Sequence, residues 1–259
     1  MPELPEVYTM VKGLKTLIGR KIKKVWADKP RVLNVLKKVD GRMIESIERR
    51  GKNVIFNMDK NLSLLIHPKM TGIFLINKIH PYQRAVLNLL GGDFLTFSDK
   101  RRFARIAVFT KSQINQEFLG IGADALKISF KDFKNLVSSK KGKIKQVLMD
   151  QSVVAGIGNI YADEILWKAK VYPERPSGSL SASEIQEVFK AMGAILKKSI
   201  KLRGVSIQDY RDVFGKVGEY QNHRLVYGRA GEKCKRCEAK IERIKISQRS
   251  AHFCPKCQI

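Results

Sequence analysis

The sequence predicts a multidomain α+β protein: an N-terminal β-sandwich entered through one helix, a helical middle region, and a C-terminal β-hairpin clasped by cysteines. Three observations predict it. Short β-like runs broken by turn residues fill the first ~110 positions, as a sandwich requires. Beyond about residue 115 the apolar spacing becomes helical. All four cysteines fall within the last 26 residues.

The elements follow in order. From Pro5 to about Ile18, apolar Val7, Met10, Val11, Leu14, Leu17 and Ile18 keep helical spacing, and Gly19 ends the run. The stretches IKKVWA, RMIESIE, NVIFNM, LSLLI, RAVLNLL, FLTFS and ARIAVF then read as strands. RRGKN, DKN and GGD between them read as hairpin turns. Seven or eight strands after one helix make the sandwich. In the middle region, IKQVLMDQ and NIYADEILWKAK read as two helices joined by the tight turn SVVAGIG. LSASEIQEVFKAMGAILKKSIK is the clearest helix: Ser181 and Glu184 form a capping box, and Leu180 and Ile185 a hydrophobic staple. Ile185, Val188, Phe189, Met192, Ile195 and Leu196 line one stripe, which reads as core. The chain carries no sequence repeat and no low-complexity linker.

Charge restricts the partner. Lys and Arg number 50 against 24 Asp and Glu, a net charge of +26 and a pI near 10.0. With 44% apolar residues the chain folds and is no basic tail. A folded protein this basic repels itself, so an anionic partner is expected, nucleic acid ahead of an anionic membrane surface. No apolar run approaches the ~18 residues of a membrane span, and no leader-like h-region follows the start. A cytoplasmic protein is therefore expected, not exported and not membrane-bound.

Cys234 and Cys237 form one C-x₂-C pair and Cys254 and Cys257 another, sixteen residues apart. Two such pairs framing a β-like insert, KIERIKISQ, match the tetrahedral zinc template better than a redox pair. A closed four-thiolate shell leaves no open position, so one structural Zn²⁺ is expected. Lys240, Arg243, Lys245 and Arg249 in this hairpin either face phosphates or form a solvated basic face. In VVAGIGNIYADE, a glycine-rich turn leads into a helix, where Asn159 either caps the helix or donates to a phosphate.

The opening, MPELPEV, is unusual. Pro5 and Glu6 suit the first turn of a helix. Pro2 and Glu3 are not explained that way. With Met1 removed, Pro2 would present a secondary amine with a pKa of about 8 or above, a nucleophile toward an aldehydic sugar carbon, and Glu3 beside it could shuttle the proton.

MPELPEV, the basic charge, the GIGNIYADE turn and the terminal four-cysteine finger together resemble the bacterial formamidopyrimidine-DNA glycosylase family, relatives of endonuclease VIII, over essentially the whole chain. The resemblance implies a β-sandwich over residues 1–115, a helix–two-turns–helix domain over 116–222 and a zinc finger over 223–259. It implies that Pro2 attacks C1′ of the damaged nucleotide through a Schiff base, that Glu3 donates and accepts protons, and that Glu6 supports them. Lys52 resembles the lysine that contacts phosphate near the lesion, Asn159 the phosphate-binding asparagine, and Arg249 the finger arginine that grips the flipped nucleotide's phosphate. Met70, Arg101 and Phe103 resemble the trio inserted where the base has left, with Arg102 beside them in DKRRFAR. An apolar wedge and an arginine can fill such a hole. Without the resemblance, Phe103 and Met70 both read as core.

The chain departs from the family pattern at HPKMTG, commonly HLGMSG, at Ala104, where Gly is common, and at RGVSIQDY, commonly opening GGTTL. The implied activity is a bifunctional glycosylase and lyase for oxidised purines, 8-oxoguanine and formamidopyrimidines, on damaged double-stranded DNA. It would act as a monomer, with no organic cofactor and with β,δ-elimination of the strand. The alternatives are an endonuclease VIII-like enzyme for oxidised pyrimidines, and a catalytically silent DNA-binding protein.

Overall fold

The computed structural model describes residues 1–207 and 209–259; Gln208, within the RGVSIQDY departure, lies outside the described residues. The chain forms two compact units. One comprises Met1–Leu119 with Ile200–Gln221, the other Gly120–Ser199 with Asn222–Ile259.

In the first unit, helix α1 (Leu4–Leu14) buries Leu4, Val7, Met10, Val11 and Leu14; the predicted stripe runs past it, through Leu17, buried in a following 3₁₀ turn, to Ile18, which is exposed. β1 (Ile22–Ala27), β6 (Gln83–Leu89), β7 (Phe94–Asp99) and β5 (Gly72–Ile76) form one antiparallel sheet in that order. β2 (Ile44–Arg50), β3 (Asn53–Met58), β4 (Leu62–His67) and β8 (Arg105–Thr110) form the other. Neither sheet closes into a barrel. Phe56 of β3 meets Phe74 of β5 with ring centroids 5.9 Å apart, and Phe74 meets Phe97 of β7 at 4.9 Å, so tilted aromatic contacts tie the two layers.

β3 and β4 each carry three consecutive apolar residues, at 54–56 and 64–66, because both of their faces are covered there. Val54, Phe56 and Leu64 point into the sandwich, while Ile55 and Leu65 pack under Ile114 and Phe118 of the α3 region (Lys111–Glu117). Segment 200–221 returns to this unit. Tyr210 and Val213 join its core, and Ile76 donates its N–H to the Val213 carbonyl at 2.9 Å. Gly13 of α1 admits that contact, since a Cβ there would lie 2.2 Å from Val213 Cγ2.

The second unit holds α4 (Phe130–Ser138), α5 (Ile144–Met149), α6 (Asn159–Ala169) and α7 (Ala182–Lys201), with a short parallel pair, β9 (Ala123–Asp124) and β10 (Val154–Ala155). The hairpin β11 (Glu242–Ile246) and β12 (Arg249–Phe253) follows. The α7 capping box forms as expected: Glu184 Oε2 accepts the Ser181 N–H at 2.8 Å, and Ser181 Oγ accepts the Glu184 N–H at 3.2 Å. The stripe is core, except that Phe189 is half-buried between Phe130 and Phe133. Lys145 and Asp163, both essentially inaccessible, pair at 2.6 Å, and Asp163 also accepts the His252 N–H at 2.9 Å. Strand β12 is thereby fastened to α5 and α6.

Three elements escape the sequence reading. α2 (Pro30–Leu36) interrupts the predicted strands; Pro30 in its first turn and Leu36 buried beneath are its local signals. α3 is closed by a Thr110–Gln113 capping box, 110-TKSQ, which falls just before the apparent change to helical spacing. β5 completes the eight strands.

Candidate active site and nucleic-acid interface

Glu3 is the N-cap of α1, and its N–H donates to Glu6 Oε2 at 2.8 Å in a capping box. Helix geometry therefore gives Glu3 a structural role that the sequence reading assigned only to Pro5 and Glu6. The box fixes the Pro2–Glu3 peptide at the positive end of α1, with both side chains buried. Glu6, 1% exposed, also accepts the Val205 N–H on Oε1 at 2.8 Å. Gly204 (φ +78) lies so close that a Cβ would sit 2.5 Å from that oxygen. Tyr210 donates its hydroxyl to the Glu6 carbonyl at 3.4 Å. Burial, and then the Glu6 charge, push its phenol well above the usual range and keep it a donor. One carboxylate thus anchors segment 203–221 to the helix that carries Pro2 and Glu3.

Lys52 is buried in the β2–β3 turn after Gly51, whose carbonyl accepts Arg49 Nη1 at 2.8 Å. The sequence reading passed over His67, at the end of β4. Its burial and the charges of Lys69, Lys52 and Arg105 lower its pKa to about 4. Nδ1 accepts the Lys69 N–H at 3.0 Å, so in the neutral ring Nε2 carries the proton. Lys69, at the first departure from the family pattern, adopts φ +53, and the turn closes with Gly72 N–H on the Pro68 carbonyl at 3.0 Å. Lysine therefore occupies a left-handed position that glycine takes with less strain.

Met70, half-buried in that turn, is linked to the turn bearing Arg101–Phe103. Thr71 donates its hydroxyl to Asp99 Oδ1 and accepts the Arg101 N–H at 3.0 Å, while Asp99 Oδ2 accepts the Ala104 N–H at 2.8 Å. β5 and β7 set this up by pairing Gly72 with Asp99. Phe103 is not core: it is 56% exposed, with the Arg101 guanidinium 4.7 Å from its ring centroid. Asp99 satisfies the turn's backbone, so nothing obliges Phe103 to turn inward.

In the second unit, Gly158 is the N-cap of α6 and Asn159 its first residue, which removes the capping role for Asn159. Its Oδ1 is enclosed and has no hydrogen-bond partner among the described residues. Gln151 braces the turn, accepting the Gly156 N–H at 2.9 Å and donating to the Ile157 carbonyl at 2.8 Å. Arg249 is exposed at the start of β12, just after Ser247 and Gln248, which both have positive φ in the hairpin turn.

The sulfurs of Cys234, Cys237, Cys254 and Cys257 all lie within 4.8 Å of one another, a spacing suited to a tetrahedral S₄ site. Burial opposes ionisation of Cys234, but N–H groups of Arg236 and Trp167 on its sulfur outweigh it and bring the thiol down to about 6. Burial and the neighbouring sulfurs raise Cys257 to about 12. Four converging thiols cannot all ionise without a cation among them, so the donor set fits a divalent metal. Trp167 Nε1 lies 3.4 Å from Cys234 Sγ, and Arg236 stacks on the Trp167 ring at 4.0 Å. No helix among the described residues is long and apolar enough to cross a membrane.

Residues 1–106 match the formamidopyrimidine-DNA glycosylase N-terminal domain, 119–211 the formamidopyrimidine-DNA glycosylase H2TH domain, and 231–259 the zinc finger found in FPG and IleRS. The chain is 39% identical to the formamidopyrimidine-DNA glycosylase of Herpetosiphon aurantiacus and 37% identical to that of Heliobacterium modesticaldum, over the full length of both chains in each case. Lactococcus lactis FPG, crystallised as a point mutant with Fapy-dG-containing DNA, superposes with a TM-score of 0.93 at 36% identity over 99% of each chain. The same enzyme with abasic-site DNA gives 0.92 at 36% identity, again over 99% of each.

Proposed function

The chain belongs to the formamidopyrimidine-DNA glycosylase family, and from that membership and the geometry above we propose a base-excision glycosylase with lyase activity on oxidised purines in duplex DNA. The observation that carries this reading is the Pro2–Glu3 peptide, held at the α1 N-terminus by Glu6 in a chain matched end to end by the family.

Removal of Met1 would free the Pro2 amine. That amine attacks C1′ as the C1′–N bond to the base breaks, and Glu3 moves the proton that opens the sugar ring. The resulting iminium withdraws electrons from C2′. Loss of a C2′ proton then expels the 3′ phosphate, and a second elimination expels the 5′ phosphate. Hydrolysis of the remaining imine releases the amine.

Lys52, Asn159 and Arg249 take phosphates, the α6 N-terminus adding its dipole to Asn159. His67, neutral with Nε2–H available, joins Lys52 as a donor. Met70, Arg101 and Phe103 fill the vacated stack. The four cysteines hold one structural zinc, whose chemistry is to fold the hairpin that presents Arg249. The working form is a monomer in the bacterial cytoplasm, associated with the nucleoid when DNA-bound.

The test is incubation with a duplex carrying one 8-oxoguanine opposite cytosine. Release of the base with phosphate left on both broken ends supports the reading. Base release that persists in Glu3→Gln, or strand ends lacking the two phosphates, contradicts it.

A further inference from the structure

Two adjacent arginines in one turn have different environments. Arg101 lies over Phe103 and has no acidic partner among the described residues. Arg102, its backbone at φ +59 and its side chain 54% exposed, reaches back to Asp28 Oδ2 at 3.3 Å, an ion pair without a hydrogen bond. Asp28 follows β1, and its side chain is only 10% exposed. It also accepts Arg84 Nε on Oδ1 at 3.0 Å, and its own N–H donates to the Arg84 carbonyl at 3.1 Å. The carboxylate is therefore fixed in the sheet before Arg102 reaches it.

We propose that Asp28 is a positioning residue: it holds Arg102 against the β1–β6 edge and so presents Arg101 and Phe103, not Arg102, to the strand opposite the lesion. A guanidinium drawn back onto a rigid carboxylate is less available to read base edges and helps to brace the turn. It also offsets the strain of a left-handed, non-glycine backbone at Arg102. Without it the turn is held by Thr71 and Asp99, which bind its backbone and leave both arginine side chains unrestrained, so either arginine can enter the duplex. Arg102, which the sequence grouped with the DNA-contacting residues, becomes part of the turn's support.

This inference rests on the glycosylase reading, and its test separates the two. The readout is the ratio of kcat/KM for 8-oxoguanine opposite cytosine to that opposite adenine. Because it is a ratio within one preparation, partial unfolding of a variant cancels. Asp28→Asn should lower it about fivefold, a change of about 1 kcal/mol. Asp28→Glu should retain most of it. Arg102→Gln, which leaves the Asp28–Arg84 pair in place, should lower it as well, and the double variant should fall no further than Asp28→Asn, since both lose the Asp28–Arg102 pair. An unchanged ratio in Asp28→Asn overturns the inference, as do losses that multiply in the double variant. Wild-type protein that excises opposite cytosine and adenine alike overturns it while leaving the glycosylase reading intact. Wild-type protein that excises neither overturns both.

Discussion

Glu6 ties two distant parts of the chain together, because its two oxygens accept N–H groups from the α1 cap and from segment 203–221. Glu6→Gln must turn an amide NH₂ toward one of those donors. It should cost about 1–3 kcal/mol, read as a lower urea midpoint. Gly204→Ala should cost at least about 1 kcal/mol in the same assay, through its positive φ and the approach to Glu6. His67 gives a pH signature. Its pKa is about 4 folded and near 6.5 unfolded, so between those values the unfolded state binds more protons. Stability is fully present above pH 6.5 and falls as the pH drops toward 4. Thermal melts of the wild type against His67→Gln should show the wild type losing ground over that window; parallel curves would contradict the assignment. MPELPEV carried the first half of this site in the open. Val205 and Tyr210 could not be paired with Glu6 from sequence, because about two hundred residues intervene and the contact is made through backbone groups.

At the scale of elements, periodicity found α1, α7 and most strands, because each buries one regular face. It missed β5 and α2, which are short and border turns, and it placed Phe103 in the core, because a lone aromatic has no period to declare its face. The cysteine spacing was legible for the opposite reason: four ligands at fixed intervals have few structural explanations. Chelation should unfold the hairpin and free the Trp167 indole from Cys234. In a Trp26→Phe background, which leaves Trp167 the sole tryptophan, its emission should shift to the red and recover on adding zinc. Lys145→Met leaves Asp163 charged and buried, with only the His252 contacts in its place. It should cost about 3 kcal/mol in chemical denaturation.

For the whole molecule, a net charge of +26 sets how the protein meets DNA more than how it folds. Binding to undamaged duplex should weaken steeply with salt, and Lys52→Ala or Arg249→Ala should each reduce the slope of log K against log[salt] by about one phosphate contact. Composition made the class of partner legible, and motif made the family legible. How the two compact units recruit chain segments 200–221 and 222–259 was not, since that division follows packing and not sequence order. The central claim, that the α1 N-terminus is a covalent catalyst, is tested most directly by borohydride trapping on a duplex with one 8-oxoguanine opposite cytosine, with intact mass and peptide mapping of the product. The expected result is protein lacking Met1 and a single adduct on Pro2, absent from Glu3→Gln. Tight duplex binding with no adduct, on that lesion or on a bare abasic site, would contradict it.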